Sequence, residues 1–205
     1  MKRNILIPTD FSENAWNALN YAVHLYKEDE CNFYLLNAYQ VFDFPSEILL
    51  PLNSTEQRFQ IARKNSEKGL QNLLDELETR NTNSRHRFIP LSTYDRLLGA
   101  VRWALDKHEI EMIIMGTRGE NNRSIREFGS NAVEVMENIK KVPVMAVPLK
   151  APVFIKGSKK EIVFSASYKT PYNQKDLDFL IETARSFNAE IRVLHIQENG
   201  GLSPA

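Results

Sequence analysis

The chain has 205 residues, 42% of them hydrophobic and 25% charged, a balance that suits a soluble globular protein with a sizeable core. Lys and Arg together number 26, as do Asp and Glu, so the zero net charge argues against an electrostatic grip on nucleic acid or an anionic membrane. Cys31 is the single cysteine, which excludes an intrachain disulfide and makes a reducing, cytoplasmic setting the expectation. No apolar run approaches the roughly 20 residues of a membrane span.

Taken in chain order, "NILIP" (Asn4 to Pro8) is a short branched-aliphatic run that reads as a buried parallel strand. Asp10 and Ser12 then cap a helix in which Ala15, Leu19, Ala22, Val23 and Tyr26 recur at helical spacing. "NFYLLNAY" (Asn32 to Tyr39) is the second strand, with Cys31 a packing residue at its start. The loop from Gln40 to Ser54 is long for a compact domain, and such loops serve as lids or partner surfaces or are merely flexible. Thr55 and Arg58 open a long helix with Phe59, Ala62, Leu70, Leu73, Leu74 and Leu77 inward. In "HRFIPL", Pro90 removes a ladder donor and demotes the strand to an edge.

"YDRLLGAVRWALDKHEI" reads as a helix from Tyr94, and "EMIIMG" as the fourth strand. A polar glycine loop and a helix over Ser130 to Asn138 come next, then "VPVMAVP" (Val142 to Pro148) as a fifth strand. Strands alternating with helices imply parallel βαβ units. The expected organisation is a first domain over 1–150, a linker over 151–160 and a partial second unit over 161–205. That unit repeats the first: "EIVFSASY" mirrors "NILIPTDF", and Leu177 to Gln197 aligns without a gap on Leu19 to Tyr39. Asp10 is matched there by Ser167, and the copy has no glycine loop.

Gly116, Gly119 and Gly129–Ser130 sit between a strand and a helix, the general arrangement for holding an anion on bare N–H groups. The spacing is G-x2-G-x9-G-[ST]. It is neither a Walker A loop, which needs a Lys before Ser130, nor a dinucleotide fingerprint, which would follow the first strand. His24, His86, His108 and His195 show no metal-ligand spacing.

With "PTDFS" after strand one, "MGTRG…FGSNA" after strand four and "KVPVMAVP" closing the unit, residues 1–150 resemble the universal stress protein family. The loop spacing is similar to that family's ATP-binding motif. The resemblance implies a doubly wound, Rossmann-like five-stranded parallel sheet of order 3-2-1-4-5, with residues 161–205 as an incomplete second repeat. It further implies ATP or AMP as ligand. Pro8, Thr9 and Asp10 would line the adenine and ribose side, and Ala38 would offer backbone to adenine. Met115, Gly116, Arg118 and Gly119 would lie along the ribose and phosphates, and Gly129, Ser130 and Asn131 would hold the phosphates. Mg²⁺ would arrive with the nucleotide, near Asp10. The family pairs domains through the last strand, so a homodimer through Val142 to Val147 is expected.

Hydrolysis needs a group that positions water and one that neutralises developing charge. The sequence shows no Walker Lys, no paired acidic metal site and no Ser/His/Asp signature. The expectation is a nucleotide-dependent stress regulator with little or no turnover. The alternatives are a nucleotide-independent dimeric interaction module and, behind it, a slow ATPase.

Overall fold

In β1 (Lys2–Pro8), Ile5, Leu6 and Ile7 are each at most 1% exposed, although successive strand residues point to opposite faces. Both faces of this strand are therefore covered, as a parallel sheet requires. The computed structural model describes residues 2–41, 55–80, 83–117, 129–151, 160–166 and 171–195. They belong to two compact units, Met1–Val153 and Phe154–Ala205.

The first unit alternates strand and helix: β1, α1 (Glu13–Leu25), β2 (Glu30–Tyr39), α2 (Thr55–Arg80), β3 (His86–Tyr94), α3 (Leu97–Lys107), β4 (Met112–Gly116), α4 (Ser130–Asn138) and β5 (Val144–Val147). All strand pairs are parallel and the order is β3-β2-β1-β4-β5, as expected from the resemblance. Leu6, Leu36 and Ile113, all 0% exposed, pack on one face against Val101 and Ala104 of α3 and Val135 of α4. On α2, Leu70, Leu73 and Leu77 are buried and the other side is charged, with exposed ion pairs such as Arg63–Glu67 worth a few tenths of a kcal/mol, roughly. Among the described residues no helix is long and apolar enough to cross a membrane.

Three sequence expectations shift by a few residues. β3 continues to Tyr94, which does not open the next helix, because Asp95 N–H still donates to Tyr39 O at 3.1 Å and extends the ladder. Helix α3 starts only at Leu97, after Asp95 Oδ1 has accepted from Arg96 N–H at 2.6 Å. Pro90 is tolerated because β3 is the edge strand. β5 is confined to Val144–Val147 between Pro143 and Pro148, neither of which has an N–H to donate. Most of the Gln40–Ser54 loop lies outside the described residues.

Cys31 is 1% exposed at the second position of β2, and burial, followed by Asp29, pushes its thiol up to about 12. It is a packing residue with no thiolate at neutral pH.

The second unit is β6 (Lys160–Ser165), α5 (Gln174–Phe187) and β7 (Ala189–Leu194), with β6 and β7 paired in parallel. Asn173 caps α5 by accepting from Lys175 N–H at 3.0 Å, and Asn188 ends it in the left-handed region at φ 49°. Val163 and Leu194 on this sheet are 60% and 48% exposed.

Candidate functional site

β1 and β4 are neighbours at the centre of the sheet, yet they pair at only two positions, Ile5↔Met112 and Leu6↔Ile113. Past that point each follows its outer neighbour. Thr9 N–H donates to Leu36 O of β2 at 2.8 Å, and Thr117 N–H to Val147 O of β5 at 3.1 Å. The cause is legible in the chain. Thr9 N–H faces β2, so the N–H of the residue before it would face β4. That residue is Pro8, which has none to give. The strands part, and a crevice opens at their carboxyl ends, between the helices that leave the sheet in opposite directions.

One wall of the crevice is the turn after β1. Thr9 is buried and its carbonyl accepts from Asn37 Nδ2 at 2.7 Å. Thr9 Oγ1 accepts from Phe11 N–H at 3.0 Å, and Asp10 Oδ1 accepts from Ser12 N–H at 3.1 Å. Ser12 then caps α1 by accepting from Ala15 N–H at 3.2 Å. Asp10 itself is exposed. Its role differs from the capping its position suggests: Ser12 is the N-cap, and Asp10 braces the turn before it.

The other wall is built from β4 and α4. Gly129 N–H donates to Thr117 O at 2.6 Å, which ties the start of α4 to the end of β4 although eleven residues lie between them in sequence. Gly129 is the N-cap with no side-chain cap bond, and the first turn carries no acidic residue. Ser130 and Asn131 are exposed. Among the described residues no side chain caps the first N–H groups of α4, and the positive end of its dipole lies at the end of β4.

Gly116, which ends β4, has a packing reason as well. A Cβ there would lie 2.7 Å from Asn14 Nδ2 and 3.0 Å from Asn14 O, in the first turn of α1. Met115 is 4% exposed with its side chain in the α3/α4 core, so only its backbone borders the crevice. Ala38, one residue from the end of β2, is partly buried against the same core and pairs with Thr93.

The fold thus gathers Pro8, Thr9, Asp10, Met115, Gly116, Gly129, Ser130 and Asn131 around one crevice, with Ala38 at the end of the strand beside β1. Arg118 and Gly119 lie outside the described residues. Asn14, Asn37, Phe11 and Thr117 complete the walls, and sequence reasoning did not single them out. Phe11 and Thr117 stand inside "PTDFS" and "MGTRG", but their contacts, like those of Asn14 and Asn37, follow from strand register and backbone bonding. Among the described residues no cluster of three or more His, Cys, Asp or Glu is placed to hold a metal ion.

A doubly wound parallel sheet of order β3-β2-β1-β4-β5, with its switch point between β1 and β4, defines an α/β domain of the Rossmann-like class. The sequence pattern of the universal stress protein family matches residues 1–148, and the chain belongs to that family. Its fold is similar to that of UspA from Lactobacillus plantarum, with a TM-score of 0.58 and 19% identity over 70% of this chain and 96% of that one. It is also similar to a universal stress protein from Archaeoglobus fulgidus DSM 4304, with a TM-score of 0.63 and 17% identity over 96% of this chain and 68% of that one. A family protein from Burkholderia pseudomallei gives a TM-score of 0.51 at 16% identity over 71% and 95%. None of the curated proteins compared matches the chain.

Proposed function

We propose that the crevice binds an adenine nucleotide, ATP or AMP, and that the protein acts as a nucleotide-dependent stress regulator with little or no hydrolysis. One observation carries the reading: the start of α4, fixed to β4 by the Gly129–Thr117 bond, lies at the carboxyl end of a sheet whose two central strands have parted beside the Asp10 turn. Phosphates belong at Gly129, Ser130 and Asn131, where N–H groups and the dipole favour negative charge. Ribose belongs beside Asp10 and Gly116, and adenine toward Ala38. Two strand spacings, about 10 Å, separate β4 from β2, which suits a nucleoside with its first phosphate. The loop spacing from Gly116 to Ser130, which includes Arg118 and Gly119, resembles the family's ATP-binding motif and supports the same ligand. Mg²⁺ would enter with the nucleotide on the Asp10 side, since it is commonly held by phosphates and one or two carboxylates. The reading assigns no described side chain to positioning an attacking water, hence the low turnover.

Mass spectrometry of the small molecules released on denaturing the purified protein tests this. Adenine nucleotide in the extract is the expected result. An extract free of nucleotide, from protein that also ignores millimolar ATP, would remove the reading and leave a nucleotide-independent interaction module.

The second unit is read as the opening of a second repeat. Aligning Lys160 with Arg3 and Ala189 with Cys31 brings every β6–β7 partner onto a β1–β2 partner. The bond from Ala166 N–H to Leu194 O, 2.8 Å, then falls on Thr9 N–H to Leu36 O. The contact of His195 Nδ1 with Ala166 O, 2.7 Å, falls on that of Asn37 Nδ2 with Thr9 O. These coincidences support a repeat far more than its weak identity does. A homodimer through β5 completes the proposal, since β5 ends the sheet order. Sedimentation velocity is expected to show a concentration-dependent dimer, and a monomer at every concentration would remove that part. The single buried Cys31 fits a cytoplasmic protein.

A further inference from the structure

Phe11 adopts φ 64°, a left-handed conformation that side chains other than glycine's rarely take. Gly69 stands in the interior of α2, a helix of 26 residues, where glycine is the least favoured residue after proline. Each is a local misfit. They meet each other: a Cβ on Gly69 would lie 2.5 Å from both Cε2 and Cζ of Phe11. The missing side chain on α2 is the seat of the Phe11 ring, although 41% of Phe11 remains exposed. Two unfavourable local choices that fit only together point to a constraint beyond stability.

The constraint falls on the turn that braces Asp10. With Phe11 held in this conformation, its N–H reaches Thr9 Oγ1 and Ser12 N–H reaches Asp10 Oδ1. Released from Gly69, Phe11 would relax toward ordinary backbone and carry the Asp10 carboxylate with it. We infer that Phe11, seated on Gly69, is a positioning residue for the Asp10 turn, so that the placement of α2 sets the affinity of the crevice for its ligand. This rests on the adenine-nucleotide reading, and it adds a coupling between the crevice and the helix that follows the Gln40–Ser54 loop.

Calorimetric titration of the full chain with ATP tests it, with circular dichroism confirming that each variant is folded. Gly69→Ala and Phe11→Ala are each expected to weaken ATP by about fivefold to tenfold. The double variant is expected to be no weaker than Phe11→Ala, because without the ring the methyl on α2 has nothing to displace. Phe11→Leu keeps a smaller apolar side chain over Gly69 and is expected to bind ATP more tightly than Phe11→Ala. Should Gly69→Ala not fold, the contrast between Phe11→Ala and Phe11→Leu decides. ATP binding unchanged in both single variants, or penalties that multiply in the double one, would overturn the positioning role and leave nucleotide binding intact. Failure of the unmodified chain to bind ATP would overturn both.

Discussion

Replacing Ser130 by Asp is expected to remove ATP binding while leaving the protein as stable as before. Ser130 is the first residue of α4 and is exposed, so the new carboxylate meets no packing obstacle. At a helix start it gains a few tenths of a kcal/mol, roughly, from the dipole. The same position is where the phosphates are proposed to sit. Two like charges 4 Å apart repel by about 4 kcal/mol at the effective dielectric of a protein surface. After discounting for solvent screening, the loss of affinity is expected to be at least about 100-fold. Calorimetric titration of the variant, with its thermal melt as the control for folding, reads both halves. Unimpaired ATP binding in Ser130→Asp would remove the helix start from the site.

The second large effect is structural. Ile113 is 0% exposed on β4, beside Leu6, at the last paired position before the strands part. Truncation to Ala leaves a cavity with covered sheet on both sides, and about 4 kcal/mol of stability is expected to be lost. Against a total of about 5–15 kcal/mol this is a large fraction. Val163 in the second unit aligns with Leu6 of the first, but it is 60% exposed, so Val163→Ala is expected to stay within about 0.5 kcal/mol. Urea unfolding of the two variants separates them. Similar midpoints would contradict the contrast between a sheet covered on both faces and one that is not.

Much of this was legible because the chain punctuates itself. Gly129–Ser130 at one end and Asn138 before "IKKVP" at the other bound α4 at the residues expected. Branched runs such as "ILI" and "MIIM" mark strands buried on both faces, and Pro90 marks an edge. Tyr94 reads as the start of the following helix because its strand pairing with Tyr39, more than fifty residues away in sequence, leaves no local signal. The site divides in the same way. Its glycines and Asp10 are local signals. Asn37 holding the Thr9 carbonyl, Asn14 filling the space beside Gly116, and the left-handed Phe11 over Gly69 follow from strand register and helix docking. Pro8 lies between the two cases. Its residue type is plain in the string, but that it ends the β1–β4 ladder follows only once the direction of the Thr9 N–H is known.

If the parted strands and the start of α4 form a nucleotide site, the unmodified chain melts at a higher temperature as ATP is added. A ligand that binds only the folded state adds about 2.7 kcal/mol at 100 times its dissociation constant. The melting temperature is therefore expected to climb by several degrees and to go on climbing with the logarithm of ATP concentration. A melting temperature that stays flat up to millimolar ATP, with AMP equally silent, would contradict the account.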